Sequence, residues 1–416
     1  MLIYTPIITS RFTYISKILF GDILQVEFSI TDSISHFREY QGIKWAYSQE
    51  ESVEGLNFYA HSLLFENKVV PQELTHVPWK NLSLFFPVKQ NPFFPFDPFA
   101  LSFYLISRYE EYLPNAKRDA HDRFEIESAI AYQRGFHRIP LVNMLAVELA
   151  FVIRDYFPDF TWNTPSFHQV YTCDVDIAYR YKGKGFFRWG GGVIKSMLQG
   201  KWKEVGNYFS AAINPNFQDP YDLFQERTTH YLSQKQSVIH FIPIGDYGTF
   251  DKQVNPNSKC FKNLIDYLKK YSDIGLHPSY SSHLNYEFLE KEKKKLEKLL
   301  EKPIVKSRQH YLRLKFPDTY QFLLQSGIEE DYSLGWSNEV GFRSSVSVPF
   351  YFYDLTREKE TKLKIHSLHV MDVALMRISK SQQEYDDIFE QIKNEVQKWG
   401  GEFVFLEHNS SQIRNS

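Results

Sequence analysis

The chain has 416 residues, a formal net charge of -2 and 43% hydrophobic residues. This length points to two domains, or to one barrel with a large appendage. Near-neutrality offers no global basic field for nucleic acid, and two distant cysteines, Cys173 and Cys260, exclude a disulfide scaffold or a cysteine zinc site.

The opening apolar residues are broken by Thr5, Ser10, Arg11 and Thr13, so no secretion signal is read there. The longest apolar stretch, 141–153, contains Asn143 and Glu148 and is too short to span a bilayer. The expected setting is the cytoplasm, with no transmembrane segment. Residues 1–165 read as one α+β domain of unassigned role. Strand-like runs fill 2–31, with Gly21-Asp22 as a hairpin turn. Helices are expected over 98–112, with Asp97 as N-cap and Pro98 in the first turn, and over 140–156. Residues 158–165 form the linker.

From 166 to 416 short apolar runs alternate with amphipathic helices. Strands are expected at 169–174, 237–244, 274–277, 304–312, near 331, at 363–368 and at 402–406. Helices are expected over 219–234, 261–271, 286–300 and 317–325. The last helix carries one apolar stripe of Tyr385, Ile388, Phe389, Ile392 and Val396. Alternation repeated about six or seven times predicts a parallel α/β sheet, open or closed into a barrel.

Active sites of such folds collect at the carboxyl ends of strands. Those ends carry Asp174 and Asp176, His277, Arg308 and His310, Asp331, and His408. Side chains two apart on a strand share a face. Asp174 and Arg308 are therefore expected in one layer, with Asp176, His277 and His310 above them as a facial set for zinc or a similar divalent ion. Each residue also has a plainer reading. Asp-x-Asp alone is commonly a turn or cap, and a lone His or Arg is commonly a bonded core residue.

These segments, in order, resemble the motifs of the polysaccharide deacetylase superfamily (carbohydrate esterase family 4). TCDVD resembles the first motif, GLHPS the second, SRQHYLRLKFP the third, DYSLGW the fourth and LEHN the fifth. Residues 331–354 resemble a branch found in bacterial surface-polysaccharide loci, and DPFALSFYLISRYEEYLP resembles the uncharacterised domain that precedes the deacetylase there. The resemblance implies an irregular (β/α)7-type barrel behind a smaller α+β domain. It implies hydrolysis of an N-acetyl group on an amino sugar. Asp174 matches the general base, Asp176 and His277 metal ligands, Arg308 the residue that orients the base, His408 the general acid and Asp331 its orienting carboxylate. Trp336, Arg343 and Tyr311 are candidate sugar contacts, with core packing the competing reading for Trp336 and Arg343.

One departure matters. The usual second motif has another His where this chain has Ser281. His310 is the expected third ligand on strand parity, with His283 the alternative. The segment 180–203 is basic and glycine-rich, and it reads either as a solvated loop or as a contact for an anionic glycan, a sugar phosphate or a membrane surface. Two other functions compete. A metal-dependent glycosyltransferase would use Asp174-Val175-Asp176 but leaves His277, Arg308 and His408 unexplained. A non-catalytic glycan-binding protein would follow if Ser281 marks a lost metal site.

Overall fold

The computed structural model describes residues 1–50, 55–89 and 93–411, so the end of the second expected domain, 412–416, lies outside the described residues. A small parallel sheet forms first, from β1 (Leu2–Tyr4), β2 (Ser29–Thr31), β3 (Lys44–Ser48) and β4 (Asn57–Tyr59) in the order β2-β1-β3-β4. A two-stranded ribbon of β5 (Val77–Trp79) and β6 (Leu82–Leu84) follows. Gly21 and Asp22 lie inside a π-helical turn, Lys17–Ile23, and not in a hairpin. The cause is local: Ile18, Leu19, Phe20 and Ile23 are all buried, which a two-stranded turn could not achieve.

Asp97 caps the helix Pro98–Ile106, accepting the N–H groups of Phe99 at 2.8 Å and Ala100 at 3.0 Å. Such a cap contributes about 0.5–2 kcal/mol. Its second oxygen accepts Tyr47 Oη at 2.5 Å and the His61 N–H at 2.7 Å, so one carboxylate ties the helix to the small sheet. The helix stops short of the expected Tyr112 because Arg108 adopts a left-handed conformation with φ 53°, and a short 3-10 turn, Tyr109–Tyr112, follows.

The large sheet has nine strands. They are β7 (Phe167–Asp174), β8 (Ser237–Ile242), β9 (Asp273–Leu276), β10 (Lys306–Ser307), β11 (Glu330–Asp331), β12 (Phe350–Asp354), β13 (Lys359–Ile365), β14 (Leu368–Met371) and β15 (Gly401–His408). Their order is β12-β13-β11-β10-β9-β8-β7-β15-β14, and every pairing is parallel except β12 with β13. Parallel strands buried on both faces explain the near-continuous apolar runs. Helices Lys259–Tyr271, Tyr286–Leu300 and Asp318–Gln325 make successive crossovers, and Gln382–Trp399 makes the last. The segment between β11 and β13 carries β12 in place of a helix, so the strand-helix alternation is broken there.

The sheet curls, and its ends meet through a loop. Leu368 N–H donates to Leu334 O at 2.9 Å, and Gly341 N–H to His369 O at 2.8 Å. β12 and β14 are not paired with each other, so the described residues form a barrel-like α/β sheet with a loop-sealed gap. Gly275 is needed inside this sheet: a Cβ there would lie 2.5 Å from the Phe241 ring and 3.1 Å from Lys306 O.

One apolar core runs from Ile3 through Phe103 and Leu145 to Phe405, without a break between the two sheets. Buried charge joins them as well. Arg108 pairs with Glu110 at 2.8 Å and Glu111 at 2.9 Å, and Glu111 also accepts Arg343 Nη2 at 2.7 Å.

The expected helix 219–234 begins only at Phe224. Asp219 instead accepts the N–H groups of Arg180, Tyr181, Lys182 and Tyr221, pinning the chain just beyond β7. The segment 180–203 is not a loop: it enters a helical hairpin, Phe186–Leu198 and Trp202–Ile213.

Candidate active site

The parallel register sets the site. His408 pairs with Asp174 across β15 and β7. One residue past the strands, Val175, His277 and Arg308 continue the ladder by donating to Phe241 O, Ile242 O and Leu276 O. The polar residues therefore emerge together at one edge, the carboxyl ends of β7, β9, β10 and β15. They face a cavity of about 390 Å³ that Asp174, Asp176, His277, His310, Tyr311 and His408 help to line.

Asp174 is buried, and its Oδ1 accepts Arg308 Nη1 at 3.2 Å. Arg308 is fully buried and is fixed on three further sides. It donates to Thr172 Oγ1 at 2.6 Å and to Tyr332 O at 2.9 Å, and its guanidinium lies 4.6 Å from the centre of the Phe241 ring. This clamp leaves Asp174 Oδ2 directed at the cavity side, 3.9 Å from His277 Nε2.

Asp176, His277 and His310 converge, their ligand atoms lying within 4.8 Å of one another. His277 Nδ1 donates to Arg308 O at 2.7 Å, which turns Nε2 toward Asp176 Oδ1 at 3.2 Å. His310 Nδ1 donates to Asp251 Oδ1 at 2.9 Å, which turns Nε2 toward Asp176 Oδ1 at 3.6 Å. Each ring is thus fixed through one nitrogen and presents the other, as metal-binding histidines are. Asp176 Oδ1 and His277 Nε2 are buried and without a hydrogen-bond partner. Buried polar atoms are seldom left so, and a divalent ion would satisfy both. Two imidazoles and a carboxylate form a donor set that suits zinc and its neighbours. Burial opposes charge on Asp176, but the close approach of His277 and the charges of His408 and His310 hold its carboxyl well below the usual range.

His408 stands on the other side of Asp176, Nε2 to Oδ2 3.8 Å. Its Nδ1 donates to Asp372 Oδ1 at 2.8 Å. Burial pushes the imidazole down, but Asp372, by charge and hydrogen bond, and then Asp176 and Asp174 push it up to about 10.

Several sequence expectations are corrected here. His310 is not on a strand: β10 ends at Ser307, and His310 opens a 3-10 turn, His310–Leu312. That turn and Asp251 bring it to Asp176. His283 lies elsewhere, 3.5 Å from Asp122, and has no place in the group. Asp331 does not reach His408. It is buried and accepts the hydroxyls of Ser307 and Ser333, each at 2.8 Å, so it braces β10 and β11, while Asp372 holds His408.

Trp336 and Arg343 do not line the cavity. Arg343 is buried against Glu111 with its guanidinium 5.0 Å from the Trp336 ring centre, so both belong to the charged seam between the two sheets. Tyr311 does line it, held at φ 62° in the left-handed region, where a non-glycine residue is uncommon.

Sequence reasoning missed four contributors. Asp251 and Asp372 come from a loop and a helix start with no motif of their own. His121 and Arg123 come from the front segment, where Arg123 donates to Tyr311 O at 3.2 Å and His121 contacts Tyr280 Oη at 3.1 Å. The dense charge of 118–123 was the one available signal for that pair.

Residues 1–158 match a protein family described as a family of unknown function, DUF7033. No curated protein matches the chain. Among solved structures, one from Mycobacterium smegmatis, assigned as a polysaccharide deacetylase, is 12% identical with a TM-score of 0.37, covering 59% of this chain and 78% of its own. The Puue allantoinase structure is 11% identical with a TM-score of 0.35 over the same shares. Likeness at this level carries no weight for the chemistry; the geometry of the site does.

Proposed function

We propose that this chain is a metal-dependent amide hydrolase that removes N-acetyl groups from an amino sugar in a poly- or oligosaccharide or its precursor. The observation that supports it most is the disposition of three units around one cavity: Arg308-clamped Asp174, the Asp176–His277–His310 group, and His408 on Asp372. Asp176, His277 and His310 would hold the ion, and zinc fits their donor types. When bound, such an ion polarises the amide carbonyl and makes water more acidic.

The rest falls to the chain's own groups. Asp174, oriented by Arg308, takes a proton from the attacking water through the oxygen that faces the cavity. His408 carries its proton on Nε2 while Nδ1 is held by Asp372, so it delivers that proton to the leaving amine nitrogen. Acid and base thus come from adjacent strands, β15 and β7, and line the same cavity as Asp176, within the reach that general acid–base catalysis needs. Tyr311, His121 and Arg123 line the approach and offer polar contacts to a sugar. The non-catalytic reading loses its motive, because His310 completes a three-donor group without a ligand at Ser281.

The test is acetate release from N-acetylated oligosaccharides by zinc-loaded protein. Activity that falls about 10²–10⁴-fold in Asp174→Asn supports the reading. No acetate from any such substrate by fully metal-loaded protein would defeat it.

A further inference from the structure

The helical hairpin after β7 has two apolar faces, and only one is covered. The inner face is packed: Val193, Val205 and Tyr208 close on Tyr181, and Trp189 Nε1 donates to Tyr208 O at 3.0 Å. Gly192 permits this crossing, since a Cβ there would lie 2.4 Å from Tyr208 Oη. The outer face repeats one spacing on both helices. Phe187, Ile194 and Leu198 line the first and Trp202, Phe209 and Ile213 the second, with exposures from 45% for Phe209 to 90% for Phe187. Exposed apolar stripes of this kind mark an interaction surface.

Its charge selects the partner. Lys195, Lys201 and Lys203 are exposed beside the apolar stripe. From 180 to 217 the sole acidic residue is Glu204, which is already bound by Arg180 at 2.7 Å and by Ser196 Oγ at 3.2 Å. A second copy of this chain would bring like charge against like in a two-fold contact. Thirteen and twelve residues give helices of about 20 Å and about 18 Å, too short for a hydrocarbon core of about 30 Å. Aromatic and aliphatic side chains flanked by lysine, on helices that cannot span, fit the interfacial plane of an anionic bilayer.

We infer that the hairpin Phe186–Ile213 is a monotopic docking element that seats the protein on an anionic lipid surface beside the cavity mouth. The attachment to the cavity is direct. Arg188 donates to Gln253 O at 2.8 Å and Lys252 O at 3.1 Å, and Lys252 lines the cavity, as does Ile177 at the hairpin's root. This inference stands whether or not the hydrolase reading holds.

Sedimentation of the full chain with phosphatidylcholine vesicles, with and without phosphatidylglycerol, tests it. The chain pellets with the anionic vesicles and far less with neutral ones. Lys195→Glu with Lys201→Glu and Lys203→Glu lowers the partition on the order of a hundredfold, at roughly fivefold per lysine. Phe187→Ser with Leu198→Ser and Trp202→Ser abolishes it. All of these positions are exposed, and unchanged circular dichroism and melting temperature show that the variants are folded. Failure of the wild-type chain to pellet would overturn the inference, as would pelleting that the charge reversals leave intact. A dimer in solution that the apolar variant dissociates, without vesicle binding, would also overturn it, assigning the face to a second copy.

Discussion

Asp372 grips His408 twice, taking the ring Nδ1–H on Oδ1 and the backbone N–H on Oδ2, each at 2.8 Å. The hydroxyl of Ser411 also donates to Oδ2. One carboxylate therefore fixes the tautomer, the ring plane and the end of β15 together. Burial disfavours charge on Asp372, but His408 and Ser411 hold its carboxyl below the usual range.

Replacing Asp372 by Asn removes the charge that raises His408. The general acid must be protonated to act, so the alkaline limb of the kcat/KM profile moves to lower pH. Activity at neutral pH falls about a hundredfold, while zinc content stays unchanged. An unmoved alkaline limb would remove His408 from the acid role.

Asp251 acts on the metal group from behind. It is buried, accepts His310 Nδ1 at 2.9 Å and takes the Tyr280 N–H at 2.9 Å. Asp251→Ala frees the imidazole to rotate and swap tautomers. Zinc affinity in a competition titration with a chromophoric chelator is expected to weaken about 10–100-fold. Unchanged affinity would mean that His310 is not a ligand.

What the sequence disclosed and what it withheld have a physical division. The strand ends and their order were legible because parallel strands announce themselves as apolar runs that stop at polar residues: TCDVD, GLHP and LEHN each do so. Partners from irregular segments were not legible. Asp372 opens the helix Asp372–Ile378, and Asp251 lies in the loop after β8, so no periodicity marks either. Asp331 was misassigned because a carboxylate at a strand end looks the same whether it turns to the cavity or to Ser307. Trp336 and Arg343 looked like sugar contacts because stacking on a ligand and stacking on a buried guanidinium call for the same residues. The segment 180–203 looked like a loop because Gly190-Gly191-Gly192 argues against a helix, whereas close packing on Tyr208 favours one.

Glu111 sits between Arg108 and Arg343, each almost wholly buried. Burial works against its charge, but Arg343 and Arg108 draw its pKa below the ordinary value. Glu111→Ala strands two buried guanidinium groups, and urea unfolding is expected to show a loss of about 3–5 kcal/mol. A loss under about 1 kcal/mol would mean that water replaces the carboxylate and that the seam is not sealed.

His240 is fully buried in β8 with Nδ1 3.0 Å from Ser272 Oγ. Burial, with the charge of Arg227 second, pushes the imidazole from 6.5 down to about 3. The unfolded chain binds this proton near pH 6.5 and the folded chain does not. Stability from this group is therefore complete above about pH 6.5 and is lost as the pH falls toward 3. The slope is up to about 1.4 kcal/mol per pH unit. His240→Gln should flatten the fall in melting temperature between these limits, whatever its effect at neutral pH. An equally steep fall would place the acid lability elsewhere.

The most direct test of the central claim is the metal content of the purified, zinc-reconstituted chain, measured by elemental analysis beside Asp176→Ala, His310→Ala and His283→Ala. The account predicts about one zinc ion per chain, lost in the first two variants and kept in the third. Absence of zinc from the wild-type chain, or its retention in Asp176→Ala, would contradict the assignment of Asp176, His277 and His310 as a metal site.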